Sequence, residues 1–226
     1  MYNQTMKRII PLVNDEIYHV VNRSIAEFKI FNNDGDFLRM MYVLRYYQKD
    51  PTLSFSHFMT HDGINDYGFE RYFYETSKRQ DKQVQIIAFC LMPTHIHITL
   101  KQLKDNGITR YLGNVLNGYS KYFNTKYHRK GPLWEAKFKN ILVESDEQLL
   151  HLTRYIHLNP ATALLVGKPE NWKYSSYHEY LKPSAKFRLT DFNDIIDIKP
   201  SDYRKFVDER ISYQRALAKI KTLLLD

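Results

Sequence analysis

His95 and His97 flank Ile96 in the run HIHITLK, and on a strand residues i and i+2 project from one face. Two neutral imidazoles side by side are a partial site for a divalent metal that still needs a further ligand. The same pair is also what two sheet-face histidines, hydrogen-bonded to neighbours, would give. A second group stands in HLTRYIHLNP, where His151, Tyr155 and Asn159 follow at i, i+4 and i+8, one stripe of a helix. Leu149, Leu152 and Ile156 form an adjacent stripe that can face a core. In a chain with 18 tyrosines Tyr155 alone says little, and an Asn before Pro can simply end a helix.

The two groups say more in combination. A tyrosine hydroxyl cuts a phosphodiester only if its attack is in line and the charge developing on the oxygens is neutralised. A divalent ion on His95, His97 and an amide oxygen of Asn159 would polarise such a phosphate, and helix geometry would deliver Tyr155 to the same place. A rival chemistry is visible in His97-Ile98-Thr99 and His151-Leu152-Thr153, the paired His-x-Thr pattern of two-histidine phosphodiesterases. That chemistry needs both copies on facing strands, and the second copy here has helical spacing.

The elements that must position these residues are legible in outline. EIYHVVNR (16–23) reads as a first strand, and Phe37, Met40, Met41, Leu44 and Tyr47 mark a helix that Asp34 or Asp36 could cap. Residues 51–82 read as a long connection with a short helix around 69–78. VQIIAFCLM (84–92) and HIHITLK (95–101) are two antiparallel strands joined at Pro93-Thr94. A long amphipathic helix is expected over 106–127, and another strand in LWEAKFKNILVES (133–145). Ser145-Asp-Glu-Gln148 is a capping-box pattern opening a helix toward Asn159-Pro160. The expected fold is α+β, an antiparallel sheet with helices packed mainly on one face. A domain over 1–180 would be followed by a small, semi-independent helical appendage over 181–226.

The charge count is 33 Lys+Arg against 25 Asp+Glu, a formal +8, which favours polyanionic partners. Arg129, Lys130, Lys137 and Lys139 cluster around the turn GPLW with Trp134 and Phe138 interleaved, the recipe for a single strand. The four cations fit a solvated face equally well, and the two rings are expected in the core. Trp172, Tyr174 and Tyr177 are expected to pack the end of the fold. One cysteine, Cys90, excludes an intramolecular disulfide and a cysteine-rich zinc site, and its apolar setting makes it a small core residue. With no leader-like opening and no run of ~18 apolar residues, a cytoplasmic protein is expected.

AFCLMPTHIHITL resembles the HUH metal-binding segment of single-tyrosine transposases, including the REP-associated tyrosine transposases. The segment from GPLWEAKFKN to WKYSSYHEY is similar to that family's second half, and EIYHVVNRS to its first strand. The resemblance covers residues 8–180. It implies that His95 and His97 bind metal with Asn159 as third ligand, that the ion is Mg²⁺ or Mn²⁺, and that Tyr155 is the nucleophile. It also implies single-stranded DNA, at hairpin-containing ends, as substrate, a 5′-phosphotyrosine product, Arg23 as a phosphate contact, and a homodimer or a monomer. A transposase relative that binds DNA hairpins without cutting is the alternative. Two departures stand out: Arg23 is followed by Ser24 where the family has Arg-Gly, and the connection at 51–82 is long.

Overall fold

The computed structural model describes residues 11–135 and 138–214. Its centre is a four-stranded antiparallel sheet of order β2-β3-β1-β4, with β1 at Ile17–Arg23, β2 at Val84–Met92, β3 at His95–Gln102 and β4 at Lys139–Leu142. β2 is buried along its whole length, which is why it reads as a continuous apolar run. β3 alternates because its two faces meet different layers. Ile96, Ile98 and Leu100 enter the larger core, whereas His95, His97 and Thr99 point the other way. A bulge between Ile86 and Ala88 lets both Ile87 and Ala88 join the second face without disturbing the parity of the pairs Cys90–His97 and Met92–His95.

The first face is covered by α1 (Asp34–Tyr47) and α5 (Gly107–Lys126). Met40, Val43 and Leu44 of α1 and Ile108, Leu112 and Val115 of α5 are fully buried there. Gly107 opens α5 at a place where only glycine fits, since a Cβ would stand 2.3 Å from the carbonyl oxygen of Gln83. The cap of α1 is a correction: Asn33 accepts from the Asp36 N–H, and Asp34 and Asp36 lie inside the first turn. Residues 51–82 are more structured than expected. They hold α2 (Phe55–Phe58), α3 (Asp62–Tyr67) and α4 (Phe69–Ser77), whose Phe55, Phe58, Phe69 and Phe73 form an aromatic cluster against Tyr46.

The second face is not left bare, which corrects the emphasis on one face while the α+β class stands. α6 (Asp146–Thr162) lies over β2, with α7 (Tyr177–Leu181) and α8 (Pro200–Asp208) behind it. Ser145 caps α6 by accepting from the Gln148 N–H, and Gln148 accepts from the Glu144 N–H in return. The helix does not stop at Asn159-Pro160 but continues to Thr162, with the Asn159 carbonyl accepting from Ala163. The strand expected over 133–145 is also shorter: only Lys139–Leu142 pair as β4, and Trp134 makes an isolated bridge to Ser24. Around that bridge the Leu133 carbonyl accepts from the Ile25 N–H, and the Glu135 N–H donates to the Arg23 carbonyl. The described part of the appendage is not semi-independent. Phe192, Tyr203 and Val207 are buried in one core with Ile87, Leu149 and Leu158.

Candidate active site

Strand parity and register build the site. Within β1 the residues His19, Val21 and Arg23 share a face, and their partners across β3 are Thr99, His97 and His95. Leu149 of α6 packs with Ile87, and Ile156 packs with Cys90 and Met92. The helix therefore runs parallel to β2, and its polar stripe looks along the face toward β3 and β1. Tyr155 stands edge-on to His97 with ring centroids 5.9 Å apart, and edge-on to His19 at 6.5 Å. It is 42% exposed, so its hydroxyl reaches solvent while its ring covers the histidines. Asn159 follows one turn on, about 6 Å further along the helix axis.

The histidines are set up to use one nitrogen each. The His95 and His97 rings are 5.0 Å apart and nearly perpendicular. Nδ1 of His95 lies 3.0 Å from Thr94 Oγ1, and Nδ1 of His97 lies 3.1 Å from His19 Nε2. Nε2 is thus the remaining donor atom on both rings. Burial pushes the imidazoles down, to about 4 for His95, with Arg23 adding to the effect, and to about 2 for His97, with His95, His19 and Arg23 adding. Burial takes His19 to about 4 as well. All three are neutral at pH 7, the state in which imidazole binds metal.

A divalent ion fits this donor set. Among the described residues no group of three or more His, Cys, Asp or Glu side chains is gathered to hold one, so a third donor must be of another kind. The Asn159 amide is the candidate: it follows Tyr155 by one turn of α6, and its oxygen can meet a cation while its Nδ2, buried without a hydrogen-bond partner, stays a donor.

The other candidates divide by place. Arg23 is exposed at the histidine end of β1 and on the histidine face. Lys139 is exposed on β4 opposite Val21, which puts it on that face too. Beside them Ile141 is 58% exposed, so the half of this face formed by β1 and β4 is open next to Tyr155. Arg129 lies on the α5 side instead, held by Asn124 Oδ1 and stacked on Phe28. Lys130 is exposed in the same turn, and Lys137 lies outside the described residues. Trp134 and Phe138 serve the core as expected, Trp134 donating to the Leu116 carbonyl. His151 does not join the histidine pair. It contacts Arg154 and the Phe206 ring, so the rival His-x-Thr arrangement is absent.

His19 was not read from the sequence as a site residue. The available signal was parity, since a polar residue between inward Tyr18 and Val20 must face the other layer.

Residues 65–159 match the family model described as "Transposase IS200 like", a span that contains His95, His97, Tyr155 and Asn159. Over that span the chain is similar to the IS200-like transposases. A Haemophilus influenzae protein described as a REP-associated tyrosine transposase is 29% identical over 128 residues, spanning 51% of this chain and 70% of that protein. The fold is shared with a solved REP-associated tyrosine transposase bound to a REP hairpin, at a TM-score of 0.52 and 13% identity. That match covers 86% of this chain and 95% of the other. A Deinococcus radiodurans protein described as a transposase is similar at a TM-score of 0.28, too low to carry an argument. Among the described residues no helix is long and apolar enough to cross a membrane.

Proposed function

We propose that this chain cleaves single-stranded DNA at hairpin-bearing ends and holds the cut 5′ end on Tyr155, as a step of DNA transposition. The observation that carries the reading is the half-exposed Tyr155 ring packed edge-on over His97 and His19, beside an open face with Arg23 and Lys139. The Tyr155 oxygen attacks phosphorus, the Tyr–O–P bond forms and the P–O3′ bond breaks. The tyrosine proton is balanced, through solvent, by the one the leaving 3′-oxygen gains. His95, His97 and Asn159 would hold Mg²⁺ or Mn²⁺, which when bound supplies Lewis-acid stabilisation of the phosphoryl charge. Thr94 and His19 fix the orientation of the two imidazoles, and Arg23 and Lys139 offer contacts to flanking phosphates. The REP hairpin on the fold relative makes hairpin DNA the substrate to try first.

The test uses labelled hairpin oligonucleotides from the DNA flanking the gene, incubated with Mg²⁺ or Mn²⁺ and run on a denaturing gel. A protein-linked band is expected for the native chain, with none for Tyr155→Phe or in EDTA. Tight hairpin binding with no adduct under any condition would replace cleavage with the binding-only alternative. An adduct that survives in Tyr155→Phe would move the nucleophile elsewhere.

A further inference from the structure

Away from Tyr155 the structure has a second basic feature that cleavage does not use. A groove of about 480 Å³ runs between α1, α4 and residues 185–191. Lys49 and Lys82, which bridge just before β2, fix it at the far end of the sheet. At ~3.3 Å per residue along β3, that is on the order of 25 Å from His95. Arg45, Lys49, Lys78, Lys82, Lys186 and Arg188 line the groove, against the carboxylates of Glu70 and Asp191. Arg45 pairs with Glu70, Lys82 with Asp191, and Lys78 with Glu75. Lys49, Lys186 and Arg188 have no carboxylate at ion-pair distance among the described residues, so the groove keeps a surplus of positive charge.

Its lip is aromatic. Tyr74 of α4 and Phe187 are 49% and 37% exposed and meet edge-on at 6.3 Å. Lys78 lies over the Tyr74 ring at 5.0 Å, and Lys186 over Phe187 at 5.4 Å. Exposed rings interleaved with cations along a positive groove are what an unpaired strand needs, with bases against ring faces and phosphates on the cations. A duplex could use the cations but not the rings, because its bases are already stacked.

We propose that this groove binds an unpaired DNA strand, with bases on Tyr74 and Phe187 and phosphates on Lys49, Lys186 and Arg188, separately from the Tyr155 site. The proposal goes beyond the cleavage reading and does not require Tyr155 to cut. Residues 51–82, the long connection in this sequence, would then be the source of the groove's α4 wall.

Fluorescence anisotropy with a labelled oligothymidylate, without divalent ions, tests it on the full chain. Tyr74→Ala and Phe187→Ala are each expected to weaken binding about fivefold or more, the lower end of what base–aromatic stacking supplies. Lys186→Gln with Arg188→Gln should flatten the slope of log affinity against log salt by about 1.4, at roughly 0.7 per phosphate contact. Lys121→Gln, at an exposed cation of α5 outside the groove, should bind the strand as the native chain does. Unchanged affinity and slope in folded groove variants overturns the proposal, and so does an equal loss of binding in Lys121→Gln. Photo-crosslinking of a 4-thiothymidine strand to the native chain provides a readout free of folding effects. Crosslinks in 71–78 or 185–188 are expected, and crosslinks confined to 129–142 overturn the groove.

Discussion

His19 and His97 share a single hydrogen bond between Nε2 and Nδ1, so one ring must donate and the other accept. If His97 offers the lone pair of Nε2 to a cation, its Nδ1 carries the proton and His19 must accept. His19 is then a positioning residue that selects the His97 tautomer from behind the site. His19→Ala should lower Mn²⁺ affinity about 10- to 100-fold by titration calorimetry. His19→Gln, which can present an amide oxygen, should recover part of it; equal Mn²⁺ affinity in all three proteins would remove His19 from the role. Asn159→Ala should likewise raise the Mn²⁺ needed for half-maximal adduct while leaving hairpin affinity within about twofold. A metal titration superimposable on the native one would exclude the amide as ligand. The histidine pair and the tyrosine were legible in the sequence because their spacing places each on one face of its own element. His19 was not, because its meaning depends on which strand lies next to β1, and register is a non-local property.

Elements are held in place by polar contacts as much as by the core, and α1 and α5 show this. The Asp36 side chain is buried between them, accepting from the Asn32 N–H, the Tyr127 and Tyr122 hydroxyls and Lys126 Nζ. Burial pushes its carboxyl up, but the hydrogen bonds together outweigh that and hold it below its ordinary value of 3.8. A carboxyl depressed in the folded state contributes stability that is complete above its unfolded value. That stability is lost as pH falls through the lower folded value. Asp36→Asn should therefore cost about 1–3 kcal/mol in denaturant midpoint at pH 7 and remove part of the acid destabilisation below pH 3.8. Parallel pH–stability curves for native and variant would refute this account. From the sequence Asp36 looked like a helix cap, because local spacing cannot show that Lys126 and Tyr127 lie opposite. The length of α6 beyond Pro160 was hidden for a similar reason. Proline removes one N–H and predicts a stop, while Ala161 and Leu158, both buried, hold the next turn in place. β4 fell short because alternation in LWEAKFKNILVES continues past the residues that find a partner on β1.

At the scale of the whole molecule, two cores share one sheet, and the described C-terminal segment completes the second. His157, fully buried on the far side of α6, bonds the Tyr203 hydroxyl of α8 through Nδ1 and the Ser176 hydroxyl through Nε2, each at 2.6 Å. Ser176 in turn accepts from the Phe89 N–H of β2, and Tyr203 reaches Thr153 Oγ1. Tyr203→Phe would strand His157 Nδ1, while Thr153 keeps its bond to the Leu150 carbonyl, and a loss of about 1–3 kcal/mol by chemical denaturation is expected. A loss under about 0.5 kcal/mol would mean that α8 adds packing alone. That this segment belongs to the core was not legible beforehand, since its buried residues are spread thinly over 189–207 and declare no period. The same network has a mechanical meaning. A strand captured on Tyr155 would pull on α6, and α6 is bolted through His157 and Ser176 to β2 on one side and to α8 on another. Tension would pass into the framework of the molecule rather than bend a loop, so the slack for any later strand exchange would have to come from the DNA.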